Sequence, residues 1–553
     1  LDWLVSLGTR DARLCGYYLS YDWTMILKDL PDGDIYRLLR PETRALPGGS
    51  FERIAYEGYL LHFLAGAMWI ARDDERAVAV WDVGKFFQGP FVDALHAWDV
   101  APDVRDRIAQ MKARRSLFAW RERKRIRDYC LAECGALAEL ATLIERAHTD
   151  AGLKMRSWFG PGSTAGTLLA RHNIREKRGI IPPPVEAAAR IAYFGGRAEI
   201  STCGTIARPV YGYDISSAYP YHASMLPCLE HSRWERTALE RDIEGAAHAV
   251  VCGDIESAHP AEDWAPLPIR QPGGTIVFPS RGARGYWWRD EWLAARRGWR
   301  GLRFDHAFLL RTDCGCRPFD FVPALFARRK EVGKETGEGK VLKLAINSVY
   351  GKLAQTVGPA QYASRVWAGM ITSGTRAQLL DRMRMHRRLD SVLMLATDGL
   401  YSTEPHDADI PIRLGGWERE SYIEGMTIIR PGIYWLGGGT LRARGMGRAT
   451  LERAQGMLAE GLAKGEERVV CPSRTAFGGA RMTVYATPGG LRRSSYYGQW
   501  HEIPTHVSLA PGPKRARDWR PPQLSGVDSA PYGADKHVAI LFNLLSDLRD
   551  STL

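Results

Sequence analysis

Between residues 340 and 353 the apolar positions repeat with the period of a helix, and Leu342, Ala345, Ile346, Val349 and Leu353 fall on one face. Beside that face Lys343, Asn347 and Tyr350 follow at i, i+4 and i+7, so one rigid stripe carries a cation, an amide and a ring. Residues 129–147 predict a second helix, with Leu131, Leu137, Leu140, Leu143 and Ile144 as its apolar repeat. Two other regions read as strands. The run from Val210 is strand-like to Asp214 and gives way to a helix near Ser216. Apolar runs on both sides of Asp398-Gly399 predict a hairpin with those two residues in its turn.

Breaks divide the rest. The loop opened by Gly160 leads into a helix near Ala165 and reads as a junction, and residues 182–184, all Pro, mark another. Strands and helices mix from Glu186 to Lys352, with a Gly/Pro-rich loop over 271–285. From Gly425 the chain is rich in Gly and Arg. Lys514, Arg515, Arg517 and Arg520 between prolines predict an extended basic connector before a short helix at 538–548. No internal repeat of fixed period is present.

Length and charge narrow the class. A chain of 553 residues predicts several domains, and its formal charge of +12 favours a polyanionic partner, nucleic acid before acidic membrane. The basic run from Lys112 through Arg127 reads mainly as a solvated helix face. Nine cysteines follow no disulfide framework, as expected in a reducing cytosol. Cys314 and Cys316, like Cys130 and Cys134, lack a second pair at zinc-finger spacing, so packing or turn positions are expected for them. No membrane span and no signal peptide are expected, and the opening Leu fits a piece of a longer protein.

Asp214 alone reads equally well as a helix cap, and Asp398 alone as a turn former. Together with Lys343 they make chemical sense as one site. Phosphoryl transfer uses two divalent ions about 3.5–4 Å apart. Mg²⁺ takes hard oxygen ligands, which two carboxylates supply. Lys343 would neutralise triphosphate charge, with Arg328, Arg329 and Lys330 on the outer phosphates.

These segments resemble the three polymerase motifs of family B DNA polymerases, in that family's order. Asp214, Ser217, Tyr219 and Pro220 match the first. Lys343, Asn347, Ser348, Tyr350 and Gly351 match the second completely. Ala396, Thr397 and Asp398 match the third, with Ala396 in place of its first Asp. The protein-primed phage and plasmid branch is the most similar. Tyr193-Phe-Gly195-Gly196 resembles its template-strand loop, and Leu414-Gly-Gly-Trp417-Glu418 and Arg442-Ala-Arg444-Gly445-Met446 resemble segments after the third motif.

The resemblance implies roles by position. Asp214 and Asp398 are metal ligands, with the Ile215 carbonyl as a third, and Lys343 is the triphosphate contact. Ser217 belongs to the nucleotide site, and Tyr219 packs under the sugar. Asn347, Tyr350 and Gly351 line the nascent base pair. Tyr193, Gly195, Gly196, Tyr434, Arg442 and Arg444 contact DNA. Mg²⁺ is the implied cofactor, two ions, with Mn²⁺ as a substitute. Template-primer DNA and dNTPs are the implied partners, with a terminal protein as a further one, in the cytoplasm of a bacterial or phage-infected cell. Lys343 and Asp398 lie 55 positions apart, short for this branch, so its DNA-encircling insertion there is expected to be missing or vestigial.

The N-terminal region resembles the family's proofreading exonuclease in part. Asp22 fits the second exonuclease motif with Tyr18 where Asn is usual, and Tyr129 with Glu133 fits the third with Glu for Asp. The first motif is absent, so that domain is degenerate or truncated. The expected fold is multidomain α+β: a right-hand polymerase of palm, fingers and thumb behind an RNase H-like exonuclease-type α/β domain. The divisions are 1–150 exonuclease-like, 151–205 linker with the template loop, 206–318 palm with insertion, 319–352 fingers, 353–425 palm, and 426–553 thumb with basic C-terminal region. The competing function is a catalytically impaired polymerase-fold protein that binds nucleic acid. A reverse transcriptase or primase-like enzyme is disfavoured by the 343–350 motif.

Overall fold

The structure is a computed structural model. It describes residues 1–8, 12–46, 51–64, 66–72, 77–114, 117–256, 264–356, 360–386, 391–443, 446, 448–479, 497–510, 514–516 and 530–533. The expected helix at 538–548 and most of the basic connector lie outside these residues, as does Arg444. The chain divides into two compact units.

The first unit comprises Leu1–Arg171, Leu325–Tyr362 and Thr475–Glu502. Its sheet has five strands in the spatial order Leu14–Gly16, Val78–Asp82, Ala67–Arg72, Tyr59–Leu64, Ile54–Tyr56. The first pair is parallel and the others antiparallel. Alternation sets the buried face of Tyr59–Leu64, where Leu61 and Phe63 point into the core. Helices Ser20–Leu27 and Asp32–Leu39 cover that face with Trp23, Leu27, Ile35, Leu38 and Leu39.

The long helix of this unit spans Arg123–Asp150 and buries Tyr129, Ala136, Leu140, Ala141, Ile144 and Ala147. Leu131, counted above in its apolar repeat, is 61 % exposed. Nine residues separate it from Leu140, a rotation of about half a turn at 3.6 residues per turn, which puts it on the opposite side. Arg123, Lys124, Arg125 and Arg127 are exposed along the first turns, as a solvated face predicts.

Helix Gly337–Leu353 carries the second motif. Thr336 caps it, its hydroxyl accepting the Gly339 N–H at 3.0 Å. Its buried residues include Leu342, Ala345, Ile346, Val349 and Leu353, the face read from the sequence. They pack toward helices Arg123–Asp150 and Pro161–Arg171 of the same unit.

The second unit comprises His172–Ala324, Ala363–Arg474 and Ile503–Leu553. Its central sheet is antiparallel, in the order Trp417–Tyr422, Val210–Ile215, Gly399–Ser402, Val392–Thr397, Arg197–Ile200. A four-stranded antiparallel sheet runs Ala283–Trp288, His248–Ile255, Leu302–Thr312, Ser232–Thr237. Every residue of His248–Ile255 is buried, as a strand covered on both faces requires. A smaller sheet joins Arg442–Ala443, Ile433–Leu436, Met426–Arg430 and Gly204–Ile206.

Helix Arg365–Arg384 is buried along most of its length. Two glycines admit its neighbours. A Cβ on Gly369 would lie 2.3 Å from Nε1 of Trp288, and one on Gly374 would lie 2.5 Å from Nδ1 of His222. Farther along, helix Arg448–Lys464 seats Ala454, Leu458 and Leu462, one per turn, on Ile429, Leu441, Val469 and Val507. No described helix is long and apolar enough to cross a membrane.

Candidate active site

The strand ending in Asp214 lies between two partners. Asp214 is opposite Gly399 on one side and Glu418 on the other. Asp398 occupies the neighbouring hairpin turn, and its carbonyl accepts the Ile215 N–H at 3.1 Å. Backbone pairing thus brings together two residues 184 positions apart in the chain. The turn differs from the sequence expectation by one position. Ala396 pairs with Gly399, so Thr397 and Asp398 form the loop and Gly399 belongs to the strand. Thr397 takes the left-handed φ of 69°, and the Asp398 N–H donates to the Ala396 carbonyl at 2.9 Å, a tight γ-turn. Glycine serves a different purpose at 399. A Cβ there would lie 3.3 Å from Oδ1 of Asp214, in the space the carboxylate uses.

Asp214 carries the strongest electrostatic signal among these residues. Enclosure by protein raises its carboxyl most, and Asp398, Glu418 and Glu420 add like charge, together pushing it up to about 7 against the opposing pull of Arg442. The residue still opens to solvent on one side, so it is accessible as well as crowded. After the strand, Ile215 turns a buried side chain inward. Ser217 turns the backbone with φ of 52° into helix Ala218–Ser224, where Tyr219 is half-buried. Ser216 exchanges backbone hydrogen bonds with Gly415 and Gly416 at 2.9 and 2.8 Å. Gly415 has φ of 74°, and a Cβ on it would run into the Tyr221 ring at 2.3 Å. The Leu414–Glu418 segment is therefore docked on the first motif.

The Tyr193–Gly196 loop is held from beneath. Arg376 donates to the carbonyls of Phe194 and Gly195 at 2.8 and 2.7 Å. Its Nε and Nη2 also donate to both carboxylate oxygens of Glu291 at 2.7 and 2.8 Å, and both side chains are fully buried. Below the next residues, Arg197 and Glu199 form a second buried pair at 2.5 Å. The Arg376–Glu291 pair was not legible from the sequence, because no spacing links two residues so far apart in the chain. Tyr193 is half-buried, with its carbonyl accepting from Arg270 at 3.1 Å.

Tyr434 is only 9 % exposed, and its hydroxyl lies 3.1 Å from that of Tyr401. It offers little surface to a ligand. Arg442, exposed, stands over the Tyr434 ring at 5.8 Å and donates to the Tyr401 hydroxyl at 3.4 Å. Arg442 is thus the accessible member of this group.

The remaining candidates lie in the first unit. Lys343, Asn347 and Gly351 are exposed on helix Gly337–Leu353, and Tyr350 is half-buried on the same helix. Of the basic trio, Arg328 is engaged by Glu338 at 2.8 Å and by Glu331 at 3.2 Å. Lys330 is exposed and Arg329 half-buried. Asp22 is exposed on helix Ser20–Leu27, Tyr129 is buried, and Glu133 forms an ion pair with Lys112. Among the described residues, no cluster of three or more metal-ligating side chains includes Asp22 or Glu133.

Residues 110–363 match the family model of DNA polymerase type B, organellar and viral. The fold is similar to Phi29 DNA polymerase complexed with primer-template DNA, with a TM-score of 0.59 and 13% identity over 92% of this chain and 93% of that one. It is similar to the ternary complex of Phi29 DNA polymerase with primer-template DNA and incoming nucleotide substrates at a TM-score of 0.57, 13% identity, 92% and 93% coverage. The complex of the same polymerase with single-stranded DNA gives 0.54, 14% identity, 81% and 85% coverage. No curated protein matches the sequence. The multidomain α+β architecture expected from the motifs agrees with these likenesses. The sequence of residues 110–363 thus matches DNA polymerase type B, organellar and viral, and the fold of the chain is similar to that of Phi29 DNA polymerase.

Proposed function

We propose that the chain is a template-directed DNA polymerase that adds dNTPs to a 3′-hydroxyl by two-metal phosphoryl transfer. The observation that carries the reading is the placement of Asp214 and Asp398 side by side at adjoining strand ends of one sheet, where Asp214 pairs with Gly399 and the Ile215 N–H donates to the Asp398 carbonyl. Asp214, whose carboxyl is raised by enclosure and by the neighbouring acids, and Asp398 beside it are hard oxygen donors short of positive charge, which fits Mg²⁺ or Mn²⁺. Bound there, divalent ions would lower the pKa of the 3′-hydroxyl and neutralise charge developing on the phosphoryl group. Asp214 and Asp398 would hold them, with the Ile215 carbonyl as a further oxygen.

Other roles follow from the motif positions. Lys343 would meet triphosphate charge, with Arg329 and Lys330 as the outer contacts. Arg328 is the weaker candidate, being paired with Glu338 and Glu331. Tyr219 would pack under the sugar, with Ser217 beside it, while Asn347, Tyr350 and Gly351 would line the base pair. Tyr193, Gly195 and Gly196 would guide the template, and Arg442 would reach DNA phosphate. In this reading residues 206–318 and 353–425 are palm, 319–352 fingers and 426–553 thumb with the basic C-terminal region. Residues 1–150 are an exonuclease-like domain without robust 3′–5′ activity, since Tyr18 stands where the second exonuclease motif usually has Asn and Glu133 where the third usually has Asp. Replication of a phage, plasmid or mobile element is the setting such an enzyme serves.

Primer extension on primed single-stranded DNA with dNTPs and Mg²⁺ or Mn²⁺ tests the reading. Extension by the wild type and its loss in Asp214→Asn are expected. No extension, or equal extension by that variant, would leave a nucleic-acid-binding protein on a polymerase fold.

A further inference from the structure

We propose that Cys228, His231, Cys314 and Cys316 form a tetrahedral zinc site at one end of the four-stranded sheet. Strands Ser232–Thr237 and Leu302–Thr312 are antiparallel neighbours, and Ser232 faces Thr312 on their last rung. His231 is the residue before the first strand, and Cys314 and Cys316 follow the second closely. Cys228 lies on the turn that leads from helix Ala218–Ser224 to His231. The rung therefore brings two loops together, each with two ligand residues.

The geometry suits the metal. One ligand atom from each residue can be chosen so that all four lie within 4.8 Å of one another. Nδ1 of His231 is 3.6 Å from Sγ of Cys228 and 3.5 Å from Sγ of Cys316. With Zn–S of about 2.3 Å and Zn–N of about 2.0–2.1 Å, the N···S edge of a tetrahedron is about 3.5–3.6 Å. The other imidazole nitrogen, Nε2, stands 3.7 Å from the Glu230 carboxylate. A carboxylate behind a ligating histidine orients the ring and raises its basicity. Further hydrogen bonds reach Cys314: the Thr312 hydroxyl lies 3.1 Å from its Sγ, and the Cys316 N–H also donates to it.

Three thiolates and an imidazole form a soft donor set, which selects Zn²⁺ over Mg²⁺, the reverse of the carboxylates at Asp214 and Asp398. Binding releases the thiol protons and changes no oxidation state. Cys316 and His231 are exposed, so little apolar packing secures these loops. Arg317 adds one further tie, donating to the Met225 carbonyl at 3.3 Å. A bound zinc would clamp the exit of the helix that follows Asp214 to the segment leading into helix Phe321–Val332. Its role is structural, since four protein ligands leave no open position.

Metal analysis of the full chain, purified with reductant and dialysed against zinc-free buffer, is the test. About one zinc per chain is expected, released as a thiol-directed mercurial titrates the cysteines. Cobalt substitution should give intense visible bands and sulfur-to-metal charge transfer. Cys316→Ser and His231→Gln should abolish stoichiometric zinc, and Glu230→Gln should weaken binding by about 10–100-fold. Cys130→Ser and Asp214→Asn should retain it. Absence of zinc, zinc unchanged in Cys316→Ser and His231→Gln, or a disulfide among these three cysteines after rapid thiol trapping would overturn the proposal.

Discussion

A Cβ placed on Gly196 would lie 2.4 Å from Cγ2 of Thr397 and 3.1 Å from its Cα. The loop resembling a template-strand guide thus abuts the hairpin that presents Asp398, with no room for a side chain between them. Gly196→Ala should displace the hairpin, costing about 1–3 kcal/mol and slowing extension more than tenfold. Thr397 is a β-branched residue at positive φ, so Thr397→Gly removes the closest of these contacts, those to the side chain, and that strain. The double variant should recover most of the lost stability and rate. Simple additivity of the two changes in unfolding and extension assays would break the link.

Asp214 gives a pH test. Its folded-state carboxyl is pushed up to about 7, above the unfolded value of about 3.9. The folded state holds this proton more tightly, so the group's contribution to stability is lost as pH rises from about 4 to 7. Asn at this position cannot ionise. Without divalent ions, the Tm of Asp214→Asn relative to wild type should therefore be higher at about pH 8 than at about pH 5. Added Mg²⁺ should raise the wild type alone. Thermal melts at both pH values decide it, and an unchanged difference would remove carboxylate crowding as the cause.

The Arg376–Glu291 pair should be structural first. Arg376→Met leaves a buried carboxylate and two backbone carbonyls without their donor, at a cost of about 3–5 kcal/mol. Adding Glu291→Met should restore part of it, because the stranded charge is gone. Denaturant unfolding of the single and double variants measures the coupling.

Lys343 and Leu342 are adjacent on the helix, about 100° apart round its axis, and one is exposed while the other is buried. Lys343→Ala should leave stability within about 0.5 kcal/mol and impair extension by raising the KM for dNTP. Leu342→Ala should cost about 2–5 kcal/mol, since Leu342 is fully buried. Steady-state kinetics beside melting curves separate the two.

Ala396 stands where the family has a further Asp, and it packs partly buried against the apolar cluster that includes Ile200, Met394 and Tyr401. Ala396→Asp should lower metal-free stability by about 1–3 kcal/mol, as for a poorly compensated buried polar group. It should also raise the extension rate at limiting Mg²⁺. A rate no higher than wild type would mean that Asp214 and Asp398 already suffice.

The sequence by itself determined the local elements and the motif chemistry. Periodicity alone placed the buried face of helix Gly337–Leu353, and with it the exposed stripe of Lys343 and Asn347. It also placed Asp214 at a strand end and Asp398 in a turn. Local pattern failed where the environment rather than spacing decides, as at Leu131, which is apolar but off the buried face. The turn composition pointed to Asp398-Gly399, whereas strand pairing set the loop at Thr397-Asp398 and reserved Gly399 for the Asp214 carboxylate.

Only the tertiary structure decided the long-range pairings. Arg376 meets Glu291, and Gly196 meets Thr397, because strands and helices far apart in sequence pack together. The cysteines show the same limit. Cys314 and Cys316 lacked a partner pair by spacing, and one antiparallel rung brought Cys228 and His231 beside them. Spacing reports neighbours along a helix or strand, but side chains supplied by different loops become neighbours only once backbone hydrogen bonding has fixed the register.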